Sequence, residues 1–138
     1  MKFKALMLTL VLLLPGCLDS EGEEIRFNGR NLEGSDVYMF TLEDSKGPLW
    51  NLTEQEGKVV VLAFIFTRCD NTPVTSQNLK VVYESLTEDE LTKVSFVSVT
   101  VDWRHDSPSE LNNWSDRMGP HLTGAKQALD PVYENYGV

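Results

Sequence analysis

The chain has 138 residues, enough for one small domain plus a targeting segment, and 41% of them are hydrophobic, enough to build a core. Its formal charge is −9, with 21 acids against 12 bases, which argues against nucleic-acid phosphates as a partner because they demand a basic footprint. The acids are scattered or in short clusters, the pattern of a solvated face.

In chain order, Lys2 and Lys4 form a basic start and Ala5–Leu14 an apolar stretch too short to cross a bilayer as a permanent helix. It ends in Leu14-Pro15-Gly16-Cys17, which resembles a prokaryotic lipobox, although Pro15 is unusual in its slot. Residues 1–16 therefore read as a lipoprotein signal peptide, with Cys17 lipidated on the outer face of the cytoplasmic membrane. The plainer alternative is an ordinary signal peptide cut nearby. Residues 17–36, with the charged run Ser20–Glu24, read as the lipidated cysteine and a flexible tether. The folded domain is expected over 37–138.

Val37–Leu42 alternates as a first strand, ended by the turn residues of "EDSKGP". Val59–Phe66 is continuously apolar and suits a central parallel strand buried on both faces. A helix is expected from Thr72-Pro73, a sound cap and first position, with Leu79, Val82, Tyr83 and Leu86 on one face. Val94–Val101 is the next strand, with Val97, Val99 and Val101 opposite Ser98 and Thr100. Ser107-Pro108-Ser109-Glu110 is a capping-box pattern opening a second helix, which buries Leu111, Trp114 and Met118 and closes at Gly119-Pro120. Ala125–Val138 repeats Leu129, Val132, Tyr133 and Tyr136 at helical spacing, with Pro131 expected to restart that helix instead of lying inside it. Alternating units of this kind predict an α/β domain with a parallel core. The three tryptophans, Trp50, Trp103 and Trp114, read as core or rim packing. The glycosylation sequons at Asn51 and Asn113 are discounted because a lipobox points to a prokaryote.

The chemistry concentrates at Cys69. It lies just past the C-terminal end of a strand and just before a helix N-terminus, where open α/β sheets collect their reactive groups. The positive end of the helix favours a thiolate there. If Cys17 carries lipid, Cys69 is the one free thiol left in an exported chain, worth flagging as reactive or metal-binding. Thr67 could offer its hydroxyl to the sulfur, and Arg68 could add positive charge or face solvent. His105, just before a helix cap, and His121, after Gly-Pro, read as solvated loop residues.

These residues resemble the Sco/SenC family of membrane-tethered, thioredoxin-fold proteins that handle copper for cytochrome c oxidase assembly. The matching stretches are "GKVVVLAFIFTRC" at 57–69, Pro73-Val74-Thr75, "VSVTVDWRHDSP" at 97–108, "LTG" at 122–124 and the final "YGV". The resemblance implies a thioredoxin-like fold with a largely parallel central sheet and flanking helices. It also implies Cys69 as a copper ligand and Asp102 as the family's strand-end aspartate, which either orients the Cys69 loop or caps its own turn. The family pattern Thr-x-Cys-Pro-x-x-Cys-Pro is degenerate here. The run is Thr67-Arg68-Cys69-Asp70-Asn71-Thr72-Pro73, with Thr72 where the second cysteine belongs and a loop one residue shorter. The family's third ligand, a histidine, lies beyond the point where this chain stops, so the chain is expected to be incomplete, without its closing strands and of marginal stability. Copper prefers thiolate and imidazole ligands, and a lone thiolate is a poor cage for it.

Three readings follow. The first is a membrane-anchored Sco/SenC-like protein in copper handling or thiol redox, with an oxidase subunit or a thiol redox protein as partner. The second is a monothiol oxidoreductase or peroxidase, in which Cys69-x-x-Thr72 keeps the spacing of a dithiol motif but cannot resolve a mixed disulfide by itself. The third is a non-catalytic binding domain.

Overall fold

A computed structural model describes residues 29, 34–68, 72–114 and 118–138, apart from the side chains of 72–75. The expected signal peptide, Cys17, and the loop residues Cys69, Asp70 and Asn71 lie outside the described residues. The chain divides into two units, Met1–Ser35 and Asp36–Val138, and every element below belongs to the second.

The first strand, β1, spans Thr41–Asp44, later than the alternation at Val37–Leu42 suggested. Phe40 and Leu42 are both buried, so the apolar alternation was read correctly. What sets the ladder is the partner: a turn with Gly47 at φ 105° returns the chain into β2 (Leu49–Asn51), which pairs antiparallel with β1 from Thr41↔Asn51 to Glu43↔Leu49. A short 3-10 helix (Leu52–Gln55) follows, its first turn held by the Asn51 side chain, which accepts from the Thr53 N–H at 3.0 Å.

β3 (Val59–Ile65) and β4 (Val94–Thr100) run parallel, in register from Val59↔Val94 to Ile65↔Thr100. Between them lie α1 (Thr72–Ser85) and α2 (Glu88–Leu91), the latter started by a reciprocal capping box between Thr87 and Glu90. Leu79 and Tyr83 on α1, and Leu86 just after it, are half-buried and Tyr83 stacks edge-on against Phe96, whereas Val82 is 49% exposed and lies off the packed face. α3 (Pro108–Trp114) starts as expected, with Ser107 Oγ accepting from the Glu110 N–H at 3.3 Å, and buries Leu111 completely. The chain then enters β5 (His121–Thr123), a strand the sequence reading missed, which pairs parallel with β4 and antiparallel with β1. Gly119 makes that entry possible: a Cβ there would sit 1.9 Å from the Phe96 carbonyl oxygen.

The sheet order is β2-β1-β5-β4-β3, with three parallel strands and an antiparallel hairpin. β3 is thus an edge among the described strands, not a central strand buried on both faces. Val59 is 64% exposed, only Ile65 is buried, and Val60 and Leu62 line an open apolar groove of about 530 Å³. An apolar run of that length does not by itself distinguish a central strand from an edge strand with covered faces.

α4 (Lys126–Tyr136) packs on one face of the sheet and ends at Gly137 in the left-handed conformation, φ 74°. Pro131 lies inside this helix, contrary to expectation. An interior proline costs about 3 kcal/mol, but Leu129 and Val132 on either side of it are fully buried, and each such burial contributes about 1.5–3 kcal/mol. Tertiary packing outweighs the local penalty. The core on this face joins Leu129 and Val132 to Phe40, Leu42, Leu52, Val97, Val99 and Leu122, with Trp50 and Trp103 packed against it. No helix among the described residues is long and apolar enough to cross a membrane.

Candidate functional site

The parallel strands β3, β4 and β5 end on one edge of the sheet, and the segment leading to Cys69 leaves from that edge. The last ladder bond between β3 and β4 is from the Val101 N–H to the Ile65 carbonyl, 2.8 Å. Beyond it, Thr67 and Arg68 are held by side chains from the loop after β4.

Asp106 provides the inner hold. It is 1% exposed, and its carboxylate accepts the hydroxyl and, at 3.4 Å, the N–H of Thr67, together with the hydroxyl of Thr100 at 2.5 Å. Its backbone carbonyl accepts from the Thr123 hydroxyl at 3.1 Å. Threonines from the ends of three adjacent parallel strands therefore converge on one residue. Burying a carboxylate is costly unless its oxygens are hydrogen-bonded, and these are. The Thr67 hydroxyl, which the sequence reading allowed could face the sulfur, donates its proton to Asp106.

Asp102 provides the outer hold. Its Oδ2 accepts from Arg68 Nη2 at 2.6 Å, and the guanidinium also lies over the Phe66 ring, 5.7 Å from its centroid. His105 Nδ1 is 2.7 Å from the same Arg68 nitrogen and 2.8 and 3.1 Å from the two Asp102 oxygens. One ring nitrogen cannot serve both neighbours at once: protonated it donates to Asp102, bare it accepts from Arg68. Hydrogen bonds from His105 first, and then from Arg68, hold the Asp102 carboxyl below the usual range. Its carbonyl also accepts from the N–H groups of His105 and Asp106, each at 2.9 Å, so Asp102 closes the turn after β4 while its carboxylate reaches Arg68. Its N–H donates to the Thr100 hydroxyl at 2.9 Å, which closes a ring of bonds through Asp106 back to Thr67.

The two holds differ in strength. The Arg68 side chain is 55% exposed, and exposed ion pairs contribute little to stability because solvent screens them. Buried hydrogen bonds to a charged acceptor contribute about 1.5–3 kcal/mol each.

Of the candidates named from sequence, Thr67, Arg68, Asp102 and His105 come together at this edge, and His105 is half-exposed as expected. Thr72 opens α1, its side chain outside the description. Cys69 lies outside the described residues too, between Arg68 and α1. His121 is a correction: it is a 2% exposed residue of β5, not a solvated turn residue. Its Nδ1 lies 2.5 Å from Ser98 Oγ, and its ring meets Trp114 edge-on at 5.3 Å. Asp106 was not singled out from the sequence, although it lies in the quoted stretch at 97–108; the available signal was a carboxylate directly before the Ser107 cap. Among the described residues, no group of three or more His, Cys, Asp or Glu is arranged to hold a metal ion. The 530 Å³ groove borders the N-terminal half of β3, away from the Thr67 edge.

The SCO1/SenC family model matches residues 31–138. The chain belongs to the SCO1/SenC family. Its fold is thioredoxin-like, as three solved structures illustrate. Apo Sco1 from Thermus thermophilus is 30% identical, with a TM-score of 0.73 over 84% of this chain and 69% of that one. Copper-bound yeast Sco1 is 24% identical, with a TM-score of 0.68 over 75% and 60%. The thioredoxin domain of a Bacteroides vulgatus thiol-disulfide oxidoreductase is 23% identical, with a TM-score of 0.62 over 76% and 73%. No curated protein sequence matches. Thr67 and Arg68 lie just past the end of β3.

Proposed function

We propose that this SCO1/SenC protein is an exported, lipid-anchored protein that handles copper or exchanges thiols during respiratory oxidase assembly, with Cys69 as its reacting group. The observation that carries the reading is the edge itself. Thr67 and Arg68, the two residues before Cys69 in the sequence, are both held by the loop after β4. A thiol between a strand end and a helix N-terminus is favoured as thiolate, the form that both copper binding and thiol exchange require. Copper is cargo in this reading. Cys69 is the single soft ligand proposed for it, because Thr72 stands in the second thiolate's place. The partner is a cytochrome c oxidase subunit or a thiol redox protein, and Cys17 carries the lipid that holds the domain at the outer face of the cytoplasmic membrane.

The second reading, a monothiol oxidoreductase, is favoured by the likeness in fold to the Bacteroides thiol-disulfide oxidoreductase domain. Cu(I) titration against a competing chelator, with wild type and Cys69→Ser, separates the readings. One equivalent bound by wild type and lost in the variant supports copper handling. Reduction of a disulfide substrate without copper binding supports the oxidoreductase, and neither activity leaves a non-catalytic binding domain. Mass spectrometry of the mature N-terminus tests the anchor: an unmodified terminus cut elsewhere than before Cys17 overturns it.

A further inference from the structure

We propose that two copies of this chain pair through β3, edge to edge and antiparallel, into one continuous sheet. The inference is independent of what Cys69 does. Among the described strands β3 pairs with β4 alone, and that ladder decides which backbone groups are left over. The Val59 N–H donates to the Lys93 carbonyl at 2.9 Å, and the Ile65 carbonyl accepts from the Val101 N–H at 2.8 Å. The odd-numbered residues of β3 therefore turn their backbone groups to β4. Sides alternate along a strand, so Val60, Leu62 and Phe64 present their N–H and C=O groups to the open edge.

The same stretch selects a second copy as the occupant. Sheet edges are normally blunted by a charge, a proline or a bulge. "VVVLAFI" has no charge and no proline, and its register with β4 is unbroken. The opposite edge, β2, is only three residues long. The open groups are also self-complementary. With a two-fold axis at Leu62, that residue meets Leu62 of the second copy and Val60 meets Phe64, so every outward N–H faces an outward C=O. Opposed residues share a face, and Val60, Leu62 and Phe64 all pack against the apolar core. Their counterparts line up beside the open groove walled by Val37, Met39, Leu52 and Tyr136. No charges meet within the paired stretch, whereas the net charge of −9 repels the two copies as wholes, so added salt should tighten the pair.

The test uses the full chain carrying Cys17→Ser, in a mild detergent that shields the apolar residues 5–14 and under a reducing agent that excludes a Cys69 disulfide. Sedimentation equilibrium over a range of concentrations is expected to show a dimer that tightens with salt. Hydrogen exchange is expected to show the Val60, Leu62 and Phe64 amides gaining protection as it forms. Leu62→Lys, at a half-buried position on the open groove, sets like charges opposite each other and should weaken the dimer about tenfold or more. Leu62→Glu should do the same, and an equimolar mixture of the two should restore the dimer, because position 62 meets itself. Val59→Lys adds the same charge at a 64% exposed residue whose backbone faces β4, and should weaken it far less. A chain that stays monomeric at every concentration overturns the inference, and so does a dimer that leaves those three amides unprotected; both results stand even if the variants fail to fold. It also falls if folded Lys and Glu variants do not rescue each other, or if Val59→Lys weakens the dimer as much as Leu62→Lys. Binding of an extended apolar peptide by a monomeric chain would make β3 a docking edge for another protein and overturn the second copy as its occupant.

Discussion

The two faces of this sheet are made by the same strands and solve different problems. In β4, Val97 and Val99 join Leu122 of β5 under α4, in a core where every member is apolar. Their alternates are Phe96, Ser98 and Thr100, followed across the sheet by His121 and Thr123, and this face carries a row of buried polar groups. Each polar group is matched to a neighbour: Ser98 to His121, Thr100 and Thr67 to Asp106, Thr123 to the Asp106 carbonyl. The apolar face supplies stability without direction. The polar face supplies direction, because hydrogen bonds to a carboxylate fix distance and angle where dispersion contacts tolerate sliding.

Substitutions should separate the two roles. The largest effect is expected on the apolar face. Leu129→Ala removes a fully buried side chain between helix and sheet and should cost about 2–5 kcal/mol in a urea melt. A cost below about 1 kcal/mol would mean that α4 is not what holds this face together. Next comes Asp106→Ala, which strips the acceptor from Thr67 and Thr100 and should cost about 1.5–3 kcal/mol. If it instead stabilises the chain, the buried carboxylate is maintained for positioning alone.

Tyr133 links the faces, since its hydroxyl donates to the Thr100 carbonyl at 2.6 Å. Tyr133→Phe should cost about 0.5–1.5 kcal/mol. Burial first, and then the carboxylates of Asp130, Asp102 and Asp106, push the phenol up to about 12. A raised folded-state value means a contribution fully present below the ordinary value of about 10 and lost as pH rises towards 12. An alkaline series of melts should show that loss in wild type and a smaller one in Tyr133→Phe. The smallest effect is expected at Asp102, whose carboxyl is depressed by His105 and Arg68. Its contribution is present above the unfolded value of about 3.9 and lost as pH falls through the lower folded value. Asp102→Asn should lower the melt slightly at pH 7 and leave it unchanged at low pH, which flattens the acid limb.

Much of this was legible before folding was considered. The period-two pattern of Val97 and Val99, the 3.6-residue pattern of Leu129, Val132 and Tyr136, and the Ser107 cap each depend on neighbours along the chain, and each element formed where its pattern lay. The resemblance drew attention to Thr67, Arg68 and Asp102, and the last two meet at one edge of the sheet. The readings that failed depended on partners far away in sequence. β3 has the composition of a central strand, yet no local feature of "VVVLAFI" says how many neighbours it will have. β5 is three residues long, below the length at which a period can be recognised, and His121 within it looked like part of a turn.

The sequence by itself determined an acidic α/β chain whose one candidate thiol in the domain sits between a strand and a helix. Local propensity and spacing are sufficient for that, because they act within a few residues. Only the tertiary structure decided which of two aspartates in the same loop is fully buried and which is only partly so. Asp102 and Asp106 are chemically identical, and both reach towards the residues before Cys69. Their difference arises because the ends of β3, β4 and β5 enclose Asp106 with three threonines and leave Asp102 beside solvent with Arg68 and His105. Burial is a property of the assembled sheet, and burial is what turns one of the two carboxylates into a fixed point.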